Sequence, residues 1–231
     1  TKWFDTNYHY IVPELHKGQA FHLSSRKTVD EFEEAKALGI TTRPVLIGPV
    51  TYLMLGKANA EEFDTLALLD ALLPVYCELL DALRKSGADW VQLDEPVLAL
   101  DLTQNQKRAL RLAYRQLAAK APKIMLASDN LAVAADLPVA GHHADLVRGR
   151  GELDRLLGAF SDDRVLSLGV VDGRNVWRSD LGGAFDLVEK ALTARKADLL
   201  EVAPSCSLLH VPFDLDAEKK LDPELKSWMA F

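Results

Sequence analysis

Six short apolar runs, each followed by a longer stretch of helical periodicity, punctuate this 231-residue chain. Arg43-Pro44 leads into Val45-Leu46-Ile47-Gly48-Pro49-Val50, a buried-strand signal that ends in Gly and Pro. The others are Asp89-Trp90-Val91-Gln92-Leu93, Lys123-Ile124-Met125-Leu126-Ala127, Ala144-Asp145-Leu146-Val147, Val165 through Val171, and Leu199-Leu200-Glu201-Val202-Ala203. Most lack the polar alternation of a half-solvated sheet. Runs of this kind are expected where helices cover one face of a parallel sheet and packed side chains the other.

Strand-helix alternation implies an α/β fold with crossover connections. A closed (β/α)8 barrel needs eight strands and typically about 250 residues. Here a weaker seventh candidate, Asn7 through Val12, joins the six. The expectation is one domain over residues 1–231, an incomplete (β/α)8 TIM-barrel type whose first strands are missing. The doubly wound alternative calls for a Gly-rich phosphate turn after the first strand, and none is present.

The helices have readable ends. Thr28-Val29-Asp30-Glu31 reads as a capping box, with Val29, Phe32, Ala35 and Leu38 on one face and Gly39 in the left-handed position beyond the last turn. A longer helical region from about 61 to 85 carries Leu66, Leu69, Leu73, Tyr76, Leu80 and Leu83, and Pro74 is expected to split or kink it. Further helices are expected near 104–120 and 184–196. Asp222-Pro223-Glu224 reads as N-cap, N1 proline and first-turn acid. The sequence stops soon after, and it opens without an initiator Met, so the expectation is a piece of a longer polypeptide.

Composition narrows the function classes. With 34 acidic against 27 basic residues the formal charge is -7, which argues against a nucleic-acid groove or an anionic membrane as main partner. Cys77 and Cys206 are too few for a disulfide framework and suit a reducing cytosol. No apolar run approaches a bilayer span, and the opening Thr1-Lys2-Trp3-Phe4-Asp5 has no signal-peptide character. The expected localisation is cytoplasmic.

In a barrel, chemistry sits at the carboxyl ends of the strands. Asp94-Glu95-Pro96, Asp172-Gly173-Arg174-Asn175 and Ser205-Cys206-Ser207 all fall at such ends. Paired carboxylates there serve acid-base work or bind a cation; alternatively one caps a turn while the other pairs with an Arg. Cys206, His210, His142, His143 and Glu95 are the candidate zinc ligands, but no Cys-x-x-Cys or His-Glu-x-x-His spacing supports them, and a lone strand-end Cys is commonly a packing residue. Tyr8, His9 and Tyr10 either line a ligand surface or belong to the core. Arg148 and Arg150 are expected to be solvated or paired with acids. Lys2 is either a point charge for an anionic ligand or a solvated terminal lysine.

Five blocks carry a resemblance that covers the chain almost end to end. They are Thr1-Lys2-Trp3-Phe4-Asp5-Thr6-Asn7-Tyr8-His9-Tyr10, Arg43 through Thr51, Asp89 through Pro96, Gly173-Arg174-Asn175-Val176-Trp177-Arg178 and Ala203 through His210. In this order they resemble the N-terminal domain of the cobalamin-independent methionine synthase family. The resemblance implies a two-barrel enzyme that moves a methyl group from 5-methyltetrahydrofolate polyglutamate to homocysteine. It implies zinc in a C-terminal barrel that this chain lacks, no zinc here, and a fragment inactive alone. It assigns Lys2 to the folate glutamate tail, leaves Asp94, Glu95 and Cys206 as strand-end ligand contacts, and makes Cys206 a relic of a zinc ligand. Two departures from the family stand out: its N-terminal segment is absent, and a loop near Ser128-Asp129 is skipped. The residues by themselves leave open a stand-alone binding fragment, or a small metal enzyme built on Asp94, Glu95, Cys206 and His210.

Overall fold

Parallel strands alternating with helices account for the computed structural model, which describes residues 2–4, 9–59, 62–128 and 131–230. They fall into two units, Thr1–Ala140 and Gly141–Phe231. The α/β class and the incomplete (β/α)8 element pattern expected from the sequence are present, with three long-register parallel strands in each unit.

The first unit runs β1 (Glu14–Leu15), α1 (Lys27–Ala37), β2 (Val45–Ile47), α2 (Pro49–Leu55), β3 (Lys57–Ala58), α3 (Leu69–Lys85), β4 (Trp90–Asp94), α4 (Gln104–Ala118), β5 (Lys123–Ala127) and α5 (Leu131–Ala134). Strands β2, β4 and β5 pair in that order, aligning Leu46 with Leu93 and Leu93 with Leu126. Strands β1 and β3 make a separate two-residue pair. In β4, Val91 and Leu93 are buried while Trp90, Gln92 and Asp94 are half-buried, so its two faces differ in kind. Leu53, Leu73, Leu80, Leu83, Leu110 and Leu117 are fully buried where α2, α3 and α4 pack together. Each such leucine contributes roughly 1.5–3 kcal/mol by leaving water. A true capping box starts α4: Thr103 accepts from Gln106 N while the Gln106 side chain accepts from Thr103 N.

The second unit runs β6 (Gly141–Asp145), α6 (Leu153–Ala159), β7 (Val165–Val171), α7 (Leu181–Ala194), β8 (Leu200–Pro204) and α8 (Pro223–Trp228). Strands β6, β7 and β8 are parallel neighbours, and His143, Ser167 and Glu201 share one register row. The Arg195 guanidinium is buried and donates to the carbonyls of Phe160, Ser161 and Arg164, which ties α7 to the loop before β7. As expected, Asp222 caps α8, accepting from Glu224 N and Leu225 N. The segment behind it pairs antiparallel with the loop after β7 through Trp177 and Met229.

Several expectations are corrected. Helix α1 begins at Lys27 with Arg26 as N-cap, so Thr28 lies inside the first turn and makes no cap. Exposed i,i+4 pairs, Arg26–Asp30 and Lys27–Glu31, flank that turn instead. Leu38 is exposed, leaving Val29 and Phe32 as the buried face. Pro74 does not split α3. It is the sixth residue of the helix and exposed, so only the bond to the Asp70 carbonyl is lost, and the buried leucines on the other face carry the helix through. The helical start near 61 shifts to a 3-10 turn, Thr65–Leu68, capped by Asp64. Of the weak strand 7–12, Asn7 and Tyr8 lie outside the described residues, and His9 only bridges Lys2 while residues 10–12 are not strand. The run at 144–147 becomes strand earlier, as Gly141–Asp145, because the Asp145 side chain accepts from Val147 N and Arg148 N and turns the chain away.

Gly39 fulfils its expectation. Its φ is +76, Gly39 N bonds Lys36 O, and Ile40 N bonds Ala35 O. These are the two bonds of a Schellman motif. Gly39→Ala places a side chain in the left-handed region and should lower stability by about 1 kcal/mol, read as a reduced urea midpoint; an unchanged midpoint would show that the turn relaxes elsewhere.

Candidate functional site

In the first unit, the carboxyl end of β4 delivers Asp94 and Glu95 to opposite surroundings. Asp94 is half-buried, and its Oδ1 accepts from Gln92 Nε2 at 2.8 Å. Glu95 is 0% exposed. Its Oε1 accepts from Val50 N at 3.3 Å and from the Tyr114 hydroxyl at 3.4 Å. Its Oε2 accepts from Thr51 N at 2.8 Å and from Thr51 Oγ1 at 2.6 Å. A carboxylate has about four lone-pair sites, and these four donors occupy them.

The local sequence explains the arrangement. Helix α2 opens Gly48-Pro49-Val50-Thr51, and Gly48 at the N-cap has no side chain with which to cap it. The orphan amides of Val50 and Thr51 therefore need an acceptor from elsewhere. Glu95 supplies one from the neighbouring strand and puts negative charge at the positive end of the helix. Gly48 is required for space: a Cβ there would land on the Glu95 carboxyl. Burial pushes the Glu95 carboxyl up to about 7 from its ordinary 4.5, against the downward pull of its four hydrogen bonds. Tyr76 completes the wall by donating to Ile47 O at 2.8 Å. Burial raises the Tyr76 and Tyr114 hydroxyls, with the nearby Glu95 charge adding to the effect.

In the second unit a second polar cluster joins the middle of β6, the first half of β7 and the residue just after β8. His143 Nδ1 lies 2.9 Å from Ser167 Oγ, and its Nε2 lies 3.3 Å from Ser205 O. Because a carbonyl can only accept, Nε2 is the donor to Ser205 O, and the Ser167 hydroxyl can serve Nδ1 as either donor or acceptor. Ser205 Oγ accepts from Gly173 N. Cys206 is half-buried, and Gly173 lies so close that a Cβ there would reach its carbonyl oxygen at 2.7 Å and its sulfur at 3.0 Å. His142 points to the other face of β6, fully buried and stacked on Phe160 at 4.7 Å. Adjacent strand residues face opposite ways, so His142 and His143 cannot ligate one ion. The His210 side chain lies outside what is described. Among the described residues no three His, Cys, Asp or Glu side chains group so as to hold a metal ion.

Lys2 is exposed and bridges His9 through the backbone. Beside it Trp3 meets Phe4 and Tyr10 edge-on, at 5.2 and 5.1 Å. Phe4 has φ 45, a left-handed conformation that costs a bulky residue roughly 1–2 kcal/mol. Tyr8 lies outside the described residues. Arg150 pairs with Asp180 at 3.5 Å, in line with the expectation of an acidic partner. Sequence reasoning missed Gly48, Thr51 and Tyr114. Only the Gly-Pro-Val-Thr opening, a proline-led helix with no capping side chain before it, signals that an outside acceptor is required.

The raised Glu95 carboxyl has a definite linkage. Its folded pKa lies above the unfolded one, so its stabilising contribution is complete below about pH 4.5 and is lost as pH rises through about 7. The loss is on the order of 3 kcal/mol. Urea unfolding at pH 5 and pH 8 should show the native protein weakening across this interval and Glu95→Gln, destabilised at pH 5 by about 1–3 kcal/mol, weakening less. Parallel pH dependence in the two proteins would remove Glu95 as the cause.

The family model described as the cobalamin-independent synthase N-terminal domain matches residues 1–196. The chain is 57% identical to a 5-methyltetrahydropteroyltriglutamate–homocysteine methyltransferase of Caulobacter vibrioides, with 100% of this chain and 31% of the relative covered. It is 56% identical to the protein of that name from Mesorhizobium japonicum, with the same coverage. The first alignment runs over 239 positions against 231 residues, so the relative carries residues that this chain lacks. Among solved structures, the B12-independent methionine synthase of Shewanella sp. W3-18-1 superposes with a TM-score of 0.63 at 12% identity, over 78% of this chain and 59% of that one. At that identity the likeness speaks for the fold alone. The chain spans about a third of the length of the curated relatives it matches. It belongs to the cobalamin-independent synthase N-terminal domain family.

Proposed function

We propose that this chain is the non-catalytic N-terminal part of a methyltransferase that moves a methyl group from 5-methyltetrahydrofolate polyglutamate to homocysteine, yielding methionine. The observation that carries this reading is the full-length likeness, at 57% identity, to a methyltransferase about three times as long. On this reading residues 1–231 are one partial barrel that provides scaffold and part of the folate-tail site, and they act in the cytoplasm. No described helix is long and apolar enough to cross a membrane. On this reading the zinc that would bind the homocysteine thiolate belongs to the C-terminal barrel of the intact enzyme.

Lys2 is the residue proposed for the glutamate tail. It is exposed, cationic and held at the edge of an aromatic cluster by its bridge to His9. A strongly hydrated ammonium suits a flexible run of carboxylates, which demands charge more than fixed geometry. Asp94 and Cys206 are retained as strand-end contacts of the intact enzyme, both half-buried. Glu95 enters through the shape it gives to α2, since its lone pairs are engaged inside the first unit. The rival reading as a small metal enzyme needs Glu95 free, which its four donors disfavour.

Calorimetric titration of the chain with triglutamyl methyltetrahydrofolate should detect weak binding, reduced about ten-fold by Lys2→Ala, equivalent to about 1.4 kcal/mol. The isolated chain should not turn over methyl donor and homocysteine. Measurable turnover, or stoichiometric zinc lost on Cys206→Ala, would move the active site into this segment and end the proposal.

A further inference from the structure

The Gly173–Arg178 block and Arg150 are not used by the reading above, yet they meet in one place within the second unit. A cleft of about 400 Å³ opens beyond the carboxyl ends of β6 and β7, with Arg150, Asn175, Trp177, Arg178 and Ser179 among its lining residues. That volume suits a small metabolite. We propose that this cleft is a binding site for a small oxyanion, a carboxylate or phosphate, held between the guanidinium groups of Arg150 and Arg178.

The charges around the cleft differ in how fully they are engaged. Asp172 also lines it, but its Oδ1 accepts from Arg174 N and its Oδ2 from Asn175 Nδ2. Asp180 lines it too, with Oδ1 accepting from Gly183 N as the N-cap of α7. Its Oδ2 meets Arg150 at 3.5 Å, a long contact between side chains 55% and 69% exposed, and such surface pairs are weak. Arg178 donates from Nε to Met229 O at 3.3 Å, which fixes the root of a guanidinium that lines the cleft. Trp177 is 47% exposed and offers an apolar wall for the body of a ligand.

The position of Arg150 is the telling feature. It lies against Gly183, in the first turn of the 14-residue helix α7, where the helix carries partial positive charge. A cation there is disfavoured by the helix and only loosely held by Asp180. A Cβ at position 183 would land on the Arg150 guanidinium, so glycine leaves room for an arginine where the helix itself would reject one. An oxyanion between the two arginines would satisfy both forks, and the first-turn charge of α7 would then favour the complex. Every residue named for the site belongs to the second unit, whereas Lys2 belongs to the first.

The test uses the whole chain at low salt, titrated calorimetrically with inorganic phosphate and, separately, with L-glutamate; the tighter arm identifies the preferred oxyanion. Saturable binding is expected, weakened at least ten-fold by Arg178→Ala and by Arg150→Ala, and unchanged by Lys2→Ala. Both arginines are exposed, so the variants should keep the native unfolding midpoint. Gly183→Ala keeps every charge but displaces Arg150, and it too should weaken binding at least ten-fold. Binding that survives all three substitutions, or no binding of either probe, would overturn the site.

Discussion

A buried carboxylate organises the first unit. Glu95 links β4, the start of α2 and Tyr114 of α4 through four accepted hydrogen bonds, in a place with no access to water. Burying a carboxylate is costly unless donors replace its hydration. Burying the first amides of a helix is costly unless an acceptor reaches them. Each group answers the other's need, which is why a seven-residue helix without a capping side chain can start directly behind a strand. Gly48 is small because the carboxylate occupies the space its side chain would fill. Removing any member leaves the rest buried and unsatisfied, so the cluster acts as a unit.

Much of the architecture was legible in the sequence, because a strand covered on its helix side needs apolar residues that no surface would keep. The runs at Val45, Trp90, Lys123 and Val165 became strands almost where they were read, and the run at 165–171 is strand over its full length. The misses have local causes. At Thr28 the capping signature was present, but Arg26 took the N-cap position and the helix began two residues earlier. Pro74 looked disruptive because propensity ignores which face a residue occupies; it sits exposed, opposite the buried leucines. Asp145 stopped β6 through its side chain, an effect invisible to apolar periodicity.

The candidate site was less legible, for a different reason. Sequence placed Asp94 and Glu95 together at a strand end, but adjacent strand residues face opposite ways. One therefore went to the half-buried face and the other to the interior, and no spacing rule foretells that Thr51 and Tyr114 would converge on the second. The same rule separated His142 from His143. The family resemblance supplied Lys2, whose chemistry alone left it indistinguishable from any solvated lysine.

The polar groups of His143, Ser167 and Ser205 in the second unit are committed in a way that bears on what chemistry remains open to it. His143 engages both ring nitrogens, one with the Ser167 hydroxyl of β7 and one donating to the Ser205 carbonyl beyond β8, so the ring is oriented by the two strands that follow it in the sheet. A metal at either nitrogen would have to displace one of these bonds. Ser205 in turn accepts from Gly173 N, which holds the loop after β7 against the end of β8. These side chains thus secure backbone, while Arg150 and Arg178 line the cleft in the loops beyond the strands. Guanidinium groups recognise oxyanions through geometry that a rigid platform must hold. A scaffold whose side chains fix its loops, and whose loops carry Arg150 and Arg178, meets that requirement.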